Sequence, residues 1–219
     1  MTLKEHTVKS YDKDLESISG TIDEMMHLSL ESIDIMSNAI KNHSDELVEM
    51  ITRHDYKINN LDFLIEKKMT AMLAMRQPMA VDLRYVVSSL KVSSNLERIG
   101  DQAKSIVKKL NRIKTPKIDE DIENILIKML DISKKMVKES VIAFNDQDDN
   151  KANEVLSNDD KIDKLYKELF SITNQENFSK EEVTNIINIL FIAKSFERLA
   201  DHATNIAEIT KYVITGETK

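Results

Sequence analysis

The stretch SNLERIGDQAKSIV, residues 94–107, recurs near the other end of the chain as KSFERLADHATNIA, residues 194–207. The charged side chains of the first copy return in the second at an offset of one hundred positions. The matched pairs are Glu97 with Glu197, Arg98 with Arg198, and Asp101 with Asp201. The apolar positions between them return at the same spacing. A repeat of this length predicts that the chain consists of two duplicated halves.

A second repeat lies upstream and has a different offset. Residues 51–65 match residues 155–169 at an offset of 104, so that Asp55 corresponds to Asp159 (159 − 55). The offset changes because the connection between the two repeated elements is shorter in the second half. The duplicated unit is therefore a bundle of several elements and not a single helix.

The composition favours long helices. Only 3 Gly and 2 Pro occur in 219 residues, 41% of the residues are apolar and 32% are charged. So few helix breakers leave little room for turns, and the charged residues suit long solvent-exposed helix faces. Cysteine is absent, which excludes disulfides and thiolate metal sites.

The charge and the apolar runs indicate where the protein works. A net charge of −7 argues against nucleic acid as a partner, since a basic footprint is expected there. The first ten residues lack the apolar run of a signal peptide, and the longest apolar run, residues 186–193, is too short to span a bilayer. We therefore expect a cytoplasmic protein.

Apolar residues recur at spacings of three and four along six segments, which predicts six amphipathic helices. We expect Ser44 to cap the second helix, Pro78 to end it, and Gly216 to follow the sixth. The predicted fold is all-α, with two tandem, pseudo-symmetric antiparallel three-helix bundles over residues 1–115 and 116–219. The first predicted helix carries its apolar stripe over 15–40 and the third over 86–113, and the other four cover about 45–76, 119–145, 151–173 and 180–215.

Two carboxylates interrupt the apolar stripes. Asp55 and Asp159 stand where a Leu or Ile would continue the buried face of their helices. A buried carboxylate must be paired, hydrated or neutralised, because burying it alone is costly. One interpretation pairs them with Arg98 and Arg198 as ion pairs. The other brings carboxylates of neighbouring helices together around a metal ion.

The spacing of the acidic repeat allows the second interpretation. Residues four apart share one face of a helix, so Glu97 points the same way as Asp101. All-oxygen ligands suit Mg²⁺, Ca²⁺ or Mn²⁺, and bridging carboxylates also suit iron. His202 lies about 100° around the helix from this acidic face, and we expect it to be exposed. Runs of methionine at 69, 72, 75 and 79 are typical of core filling.

The motifs together resemble the PhoU family of phosphate-signalling regulators, and the matching pieces cover nearly the whole chain. Each motif is modest alone, but their order and their duplication are specific. The pieces are DYKIN (55–59), QPMAVDLR (77–84), ERIGD (97–101), LFIA (190–193), ERLADHATNIAE (197–208) and TGE (215–217).

The resemblance implies a non-enzymatic regulator of phosphate uptake. Such proteins are thought to couple the ATPase subunit of a phosphate transporter to a phosphate-sensing histidine kinase. They exert negative regulation on starvation genes when phosphate is plentiful, and a homodimer is expected. The alternative is a metal-binding protein or metal-dependent enzyme of the helical-bundle type.

The resemblance also implies multinuclear metal clusters of iron or zinc, with Mg²⁺ or Mn²⁺ as further candidates. In the first half, Gln102 and Ser105 replace the His202 and Asn205 of the second half. The first site thus loses an amide ligand, and we expect weaker metal binding there. The implied ligands are Glu97, Asp101, Asp55 and Asn59 at the first site, and Glu197, Asp201, Asn205, Asp159 and Asp163 at the second.

Overall fold

The computed structural model describes residues 9–42, 44–113, 119–173 and 180–217, which form six α-helices and no β-strand. The prediction of an all-α chain is therefore confirmed over these ranges. The helices are α1 (Lys9–Lys41), α2 (Asp45–Arg76), α3 (Ala80–Leu110), α4 (Glu120–Asp146), α5 (Asp149–Thr173) and α6 (Lys180–Thr215).

Consecutive helices within each half pack antiparallel and form two three-helix bundles, as the repeat predicts. In the first bundle Lys104, near the end of α3, contacts Asp55, near the start of α2. In the second, Lys211 of α6 donates to Asp149 of α5 at 2.8 Å. Short connections between long helices favour this arrangement.

The two bundles meet along two helix pairs, α3 with α6 and α1 with α4. Helices α3 and α6 run in opposite directions, because Asn95 lies beside His202 whereas Lys109 lies beside Ser195. We call this contact the α3–α6 seam. Its residues come from the two copies of the repeat, so the seam places both copies side by side.

A series of hydrogen bonds between polar side chains accompanies the apolar contacts where the bundles meet. The Tyr85 hydroxyl donates to Asn145 Oδ1 at 3.2 Å, and the Asn145 amide donates to Asp23 Oδ1 at 2.7 Å. The ring of Tyr85 also stacks on Phe144, with 4.8 Å between ring centroids. These bonds join α3, α4 and α1, and they satisfy polar groups that the interface would otherwise bury alone.

The predicted apolar stripes form the core of each bundle. On α2, Ile51, Ile58 and Ile65 recur every seven residues and are completely buried. Full burial of one such side chain contributes about 1.5–3 kcal/mol relative to exposure. Repeated over six helices, this burial holds α2 and its equivalents against their neighbours.

The methionine prediction is only partly correct. Met69 and Met72 are buried in the core, but Met75 and Met79 are exposed by 67% and 79%. Met75 lies in the last turn of α2 and Met79 lies beyond its end, where no second helix covers them. The methionine spacing extends the predicted apolar stripe to the end of α2 and beyond it, where the side chains are no longer buried.

The predicted ends of α2 are confirmed. The Ser44 hydroxyl accepts a hydrogen bond from the Glu46 backbone N–H at 3.2 Å and so caps the helix. After Arg76, the backbone of Gln77 turns into the left-handed region with φ of 48°, and Pro78 cannot continue the helix. The chain therefore reverses where the sequence indicates.

The other helix ends fall within a few residues of their predicted places. Helix α3 ends at Leu110 rather than Ile113, and α5 begins at Asp149 rather than Lys151. Gly216 follows α6 with φ of 78°, as a glycine at a helix end commonly does.

The sequence at 179–182, SKEE, is a capping-box pattern that predicts Ser179 as the cap of α6. Ser179 and the predicted boundary at residues 115 and 116 lie outside the described residues, so both stay predictions. No helix within the described ranges carries an apolar stretch long enough to cross a membrane.

Candidate functional site

The first acidic cluster lies between α2 and α3. Asp55 is buried, with 5% exposure, although it is a carboxylate on the core stripe of α2. Its Oδ2 atom lies 2.6 Å from Lys104 Nζ, which supplies the neutralising charge. Its Oδ1 atom is buried and has no hydrogen-bond partner. One half of this carboxylate is therefore paired and the other half is free for a ligand.

Glu97 and Asp101 lie on α3 beside this carboxylate. Burial raises the pKa of Glu97 above its ordinary value, and the charge of Asp101 raises it further. Burial also raises the pKa of Asp101, followed by the charge of Asp55. The two raised pKa values indicate that these carboxylates are partly shielded from water and repel one another.

The predicted ion pair of Arg98 with Asp55 is wrong. Arg98 is exposed and contacts its own helix, with Nε 3.4 Å from Glu97 Oε2 and a terminal nitrogen 3.7 Å from Asp101 Oδ2. Lys104 takes the predicted place of the arginine. It lies three residues after Asp101, just as Arg98 lies three residues before it, so helical spacing alone does not choose between the two cations.

The second acidic cluster lies between α5 and α6 and contains the equivalent carboxylates, but Thr204 stands at the position of Lys104. Burial raises the pKa of Asp159, and the charges of Asp201 and Asp163 raise it further. Burial and the charge of Glu197 raise the pKa of Asp201. These shifts place the four carboxylates close enough to repel one another.

Among the residues that the structure describes, one ammonium bonds a carboxylate of this second cluster. Lys194 bonds Glu197, its neighbour one turn later on α6. Within the described residues, no basic side chain lies within 4 Å of the Asp159 carboxylate, so the predicted pair with Arg198 does not form. The second cluster therefore carries more uncompensated negative charge than the first.

The two predicted amide ligands do not join the carboxylates in this structure. Asn205 donates from Nδ2 to Asn95 Oδ1 at 3.3 Å, across the α3–α6 seam. Asn59 is exposed one turn after Asp55 on α2. Asn205 lies one turn after Asp201, so the spacing is as predicted but the amide is turned towards α3.

The prediction of an exposed His202 is wrong. The imidazole is half-buried in the α3–α6 seam, and its Nδ1 lies 3.0 Å from Asn95 Oδ1. Burial lowers its pKa. Its position depends on how the two bundles pack, which the periodicity of one helix does not show.

The donor chemistry of both clusters fits a hard cation. Carboxylates that raise one another's pKa, and a buried Asp55 oxygen without a partner, are groups that a cation would satisfy. Across the described residues, however, no three His, Asp or Glu side chains are gathered closely enough to hold a metal as they stand. The nine implied ligands therefore remain a predicted set.

A model of the PhoU domain matches the chain twice, over residues 22–110 and 126–210. The chain belongs to the PhoU family. The two matched segments begin 104 residues apart (126 − 22) and end 100 residues apart (210 − 110), which are the two offsets of the repeat. The duplication read from residues 94–107 and 194–207 is thereby confirmed.

A relative found by sequence comparison supports this assignment, because the similarity covers nearly the whole of both chains. A protein of Clostridium acetobutylicum named phosphate-specific transport system accessory protein PhoU homolog is 33% identical over 213 residues, covering 96% of this chain and 97% of that protein.

Solved structures agree as well. PhoU from Pseudomonas aeruginosa superimposes with a TM-score of 0.85 and 27% identity, covering 94% of this chain and 100% of that one. The phosphate transport system regulatory protein PhoU from Streptococcus pneumoniae gives a TM-score of 0.84 and 29% identity, covering 95% and 99%.

Proposed function

We propose that this PhoU-family chain is a regulatory accessory protein of a phosphate-specific transport system and not an enzyme. The observation that carries the proposal is the double match to the PhoU domain together with the full-length similarity to a transport accessory protein. Because the similarity spans both bundles, the role inferred belongs to the whole chain and not to one half.

The finer proposal concerns partners. The chain binds the ATPase subunit of a phosphate transporter and a phosphate-sensing histidine kinase, and it keeps starvation genes repressed when phosphate is plentiful. A net charge of −7 suits basic surfaces on such partners. The protein acts in the cytoplasm, as a homodimer, and meets the membrane through these partners.

The alternative of a metal-dependent enzyme finds no support in the similar proteins described above, which are named for transport accessory and regulatory roles. The carboxylate clusters fit better as cation sites that strengthen the bundles. A cation bound at Asp159 and Asp201 would neutralise their repulsion and link α5 to α6. We propose that the second cluster binds it more tightly than the first, because Lys104 already neutralises Asp55 in the first.

The test of the regulatory function is a clean deletion of the gene, complemented by the wild-type chain. Phosphate-starvation promoter activity and phosphate uptake are measured in phosphate-rich medium. We expect the promoter to stay active in the deletion strain and to be repressed again on complementation. Normal repression in the deletion strain, with any paralogue also removed, would contradict the proposal.

A further inference from the structure

The end of α3 and the residues that follow it are the most basic part of an acidic chain. Residues 102–118 contain six Lys or Arg and no Asp or Glu, whereas the whole chain has a net charge of −7. Cations near a helix C-terminus commonly offset the helix dipole. That explanation does not cover Lys109, because its ammonium bonds side chains on two helices and not the terminal carbonyls.

Lys109 is held in the α3–α6 seam by two hydroxyls. Its Nζ lies 2.8 Å from Ser105 Oγ, one turn earlier on α3, and 2.9 Å from Ser195 Oγ on α6. An ammonium has three N–H donors, so this arrangement fixes the group while leaving one donor for a ligand. The Ser195 hydroxyl donates its own proton to the Phe191 carbonyl at 3.0 Å, whereas the Ser105 hydroxyl can direct its proton towards a ligand.

Two arginines complete a cationic cluster around this lysine. Arg112 lies three residues after Lys109, and Arg198 lies three residues after Ser195, so both occupy the same stretch of the seam. Burial lowers the pKa of Lys109, and the charges of Arg198 and Arg112 lower it further. Within the described residues, neither guanidinium has an ion pair or a side-chain hydrogen bond.

We propose that Lys109, Arg112 and Arg198, with the hydroxyl of Ser105, bind a phosphate dianion, and that Ser195 holds Lys109 in place. Three neighbouring cations without a counterion repel one another, and a doubly charged anion removes that repulsion. Guanidinium forks and hydroxyl donors match the several oxygens of a phosphate group better than the two oxygens of a carboxylate. This site is separate from the acidic clusters and stands independently of the regulatory function proposed above.

The duplication supplies an internal control for this site. One hundred positions from Lys109 and Arg112, the other half has Ile209 and Tyr212, which line a groove of about 690 Å³. The arginine equivalent to Arg198 is Arg98, which is already paired with two carboxylates of its own helix. The repeat therefore presents the same arrangement of helices twice, and the described residues place Lys109 and Arg112 in one copy where the other has Ile209 and Tyr212.

The experiment is isothermal titration of the purified full-length chain with inorganic phosphate at fixed pH and ionic strength. Sodium chloride serves as the ionic control, and adenosine triphosphate without divalent metal tests whether the phosphate group can be part of a nucleotide. The variants are Arg198→Ala and Lys109→Met, with Arg98→Ala and Lys108→Met as matched controls. Circular dichroism confirms that each variant is folded.

We expect saturable phosphate binding that weakens about tenfold or more in Arg198→Ala and Lys109→Met, since each loses a charged hydrogen bond. The two controls should bind within about twofold of the wild type. Saturable binding of adenosine triphosphate in place of phosphate, lost in the same variants, would support the site and identify a phosphorylated organic ligand. Absence of binding by both ligands, an equal response to chloride, or an equal loss in Arg98→Ala would overturn the proposal.

Arg198 is exposed on α6, so its replacement by alanine keeps the core intact. If Lys109→Met fails to fold, Arg112→Ala replaces it, because Arg112 is also exposed. A loss in either exposed arginine variant supports the site, and wild-type affinity in both contradicts it.

Discussion

The two acidic clusters occupy equivalent places in the two bundles, but they deal with their charge differently. In the first, Lys104 lies 2.6 Å from the buried Asp55 carboxylate. In the second, the position equivalent to Lys104 is Thr204, whose hydroxyl donates to the Asp201 backbone carbonyl of its own helix at 2.7 Å. Asp55 thus has an ammonium beside it, whereas among the described residues no basic side chain lies within 4 Å of Asp159, although Lys194 bonds Glu197 in the same cluster.

This difference explains why Asp55 is buried whereas Asp159 is half-buried. A carboxylate can be buried when an ammonium accompanies it, because pairing offsets part of the cost of desolvation. Without the lysine, Asp159 keeps access to water and repels its neighbours. The two copies therefore differ in where they carry a cation: Lys104 of the first is Thr204 in the second, and Lys194 of the second, which bonds Glu197, is Ser94 in the first.

The largest effect that we expect comes from Lys104→Met. It removes the ammonium that bonds the buried Asp55, and breaking a buried pair in this way costs about 3–5 kcal/mol in the free energy of unfolding. Thr204→Met at the equivalent position should change it by about 0.5 kcal/mol or less. Urea unfolding of both variants measures the contrast. Adding Asp55→Asn to Lys104→Met should recover part of the loss, and no recovery would show that the lysine acts through its packing alone.

A second contrast replaces the equivalent carboxylates themselves. Asp55→Asn should destabilise the metal-free protein by about 1.5–3 kcal/mol, because it removes a charged hydrogen bond from Lys104. Asp159→Asn should instead stabilise it by about 0.5 kcal/mol, because it removes a charge that its neighbours repel. Urea unfolding in the presence of chelator gives both values. If both variants change the free energy of unfolding in the same direction, the two clusters do not differ as described.

The smallest effect is a pH dependence of the second cluster. The pKa values of Asp159 and Asp201 are raised from the ordinary 3.8, so the folded state binds their protons more tightly than the unfolded state. Stability from these two groups therefore rises as the pH falls from neutrality through their raised pKa values towards 3.8. The variant Asp159→Asn/Asp201→Asn should lack this gain in metal-free thermal melts between about pH 7 and pH 5.

Asp149→Asn is the control for that experiment. The hydrogen bond from Lys211 lowers the pKa of Asp149, so its stabilising contribution is lost only as the pH falls below the ordinary Asp range. This variant should leave the slope between about pH 7 and pH 5 unchanged. If the double variant keeps the wild-type slope of stability against pH, then groups other than Asp159 and Asp201 cause that slope.

The fold was predictable from the sequence because its signal is local and repeated. The apolar stripe through Ile51, Ile58 and Ile65 defines the buried face of α2 without reference to any other helix. Ser44 and Pro78 mark the ends of that helix through their own backbone chemistry. Because the chain is duplicated, the pattern that predicts one bundle also predicts the other.

The candidate site was predictable only in part. Asp55 and Asp159 stand out because they break an apolar stripe, but the ion-pair interpretation named Arg98 as the partner of Asp55 and not Lys104. Arg98 and Lys104 both lie three residues from Asp101, so the choice between them depends on how α3 packs against α2. The contact of His202 with Asn95 could not be found in this way, because it depends on the packing of α3 against α6.

The most direct test of this account is calorimetric titration of the metal-free protein with Mn²⁺, Fe²⁺, Zn²⁺ and Mg²⁺, repeated in two equivalent variants. Asp101→Asn changes the first cluster and Asp201→Asn changes the second. We predict that at least one cation binds and raises the melting temperature with concentration, as expected for a ligand of the folded state alone. Asp201→Asn should weaken that binding about tenfold or more, and Asp101→Asn should leave it within about twofold of the wild type. If none of the four cations binds, or if Asp101→Asn weakens binding as much as Asp201→Asn, the proposed difference between the two clusters is wrong.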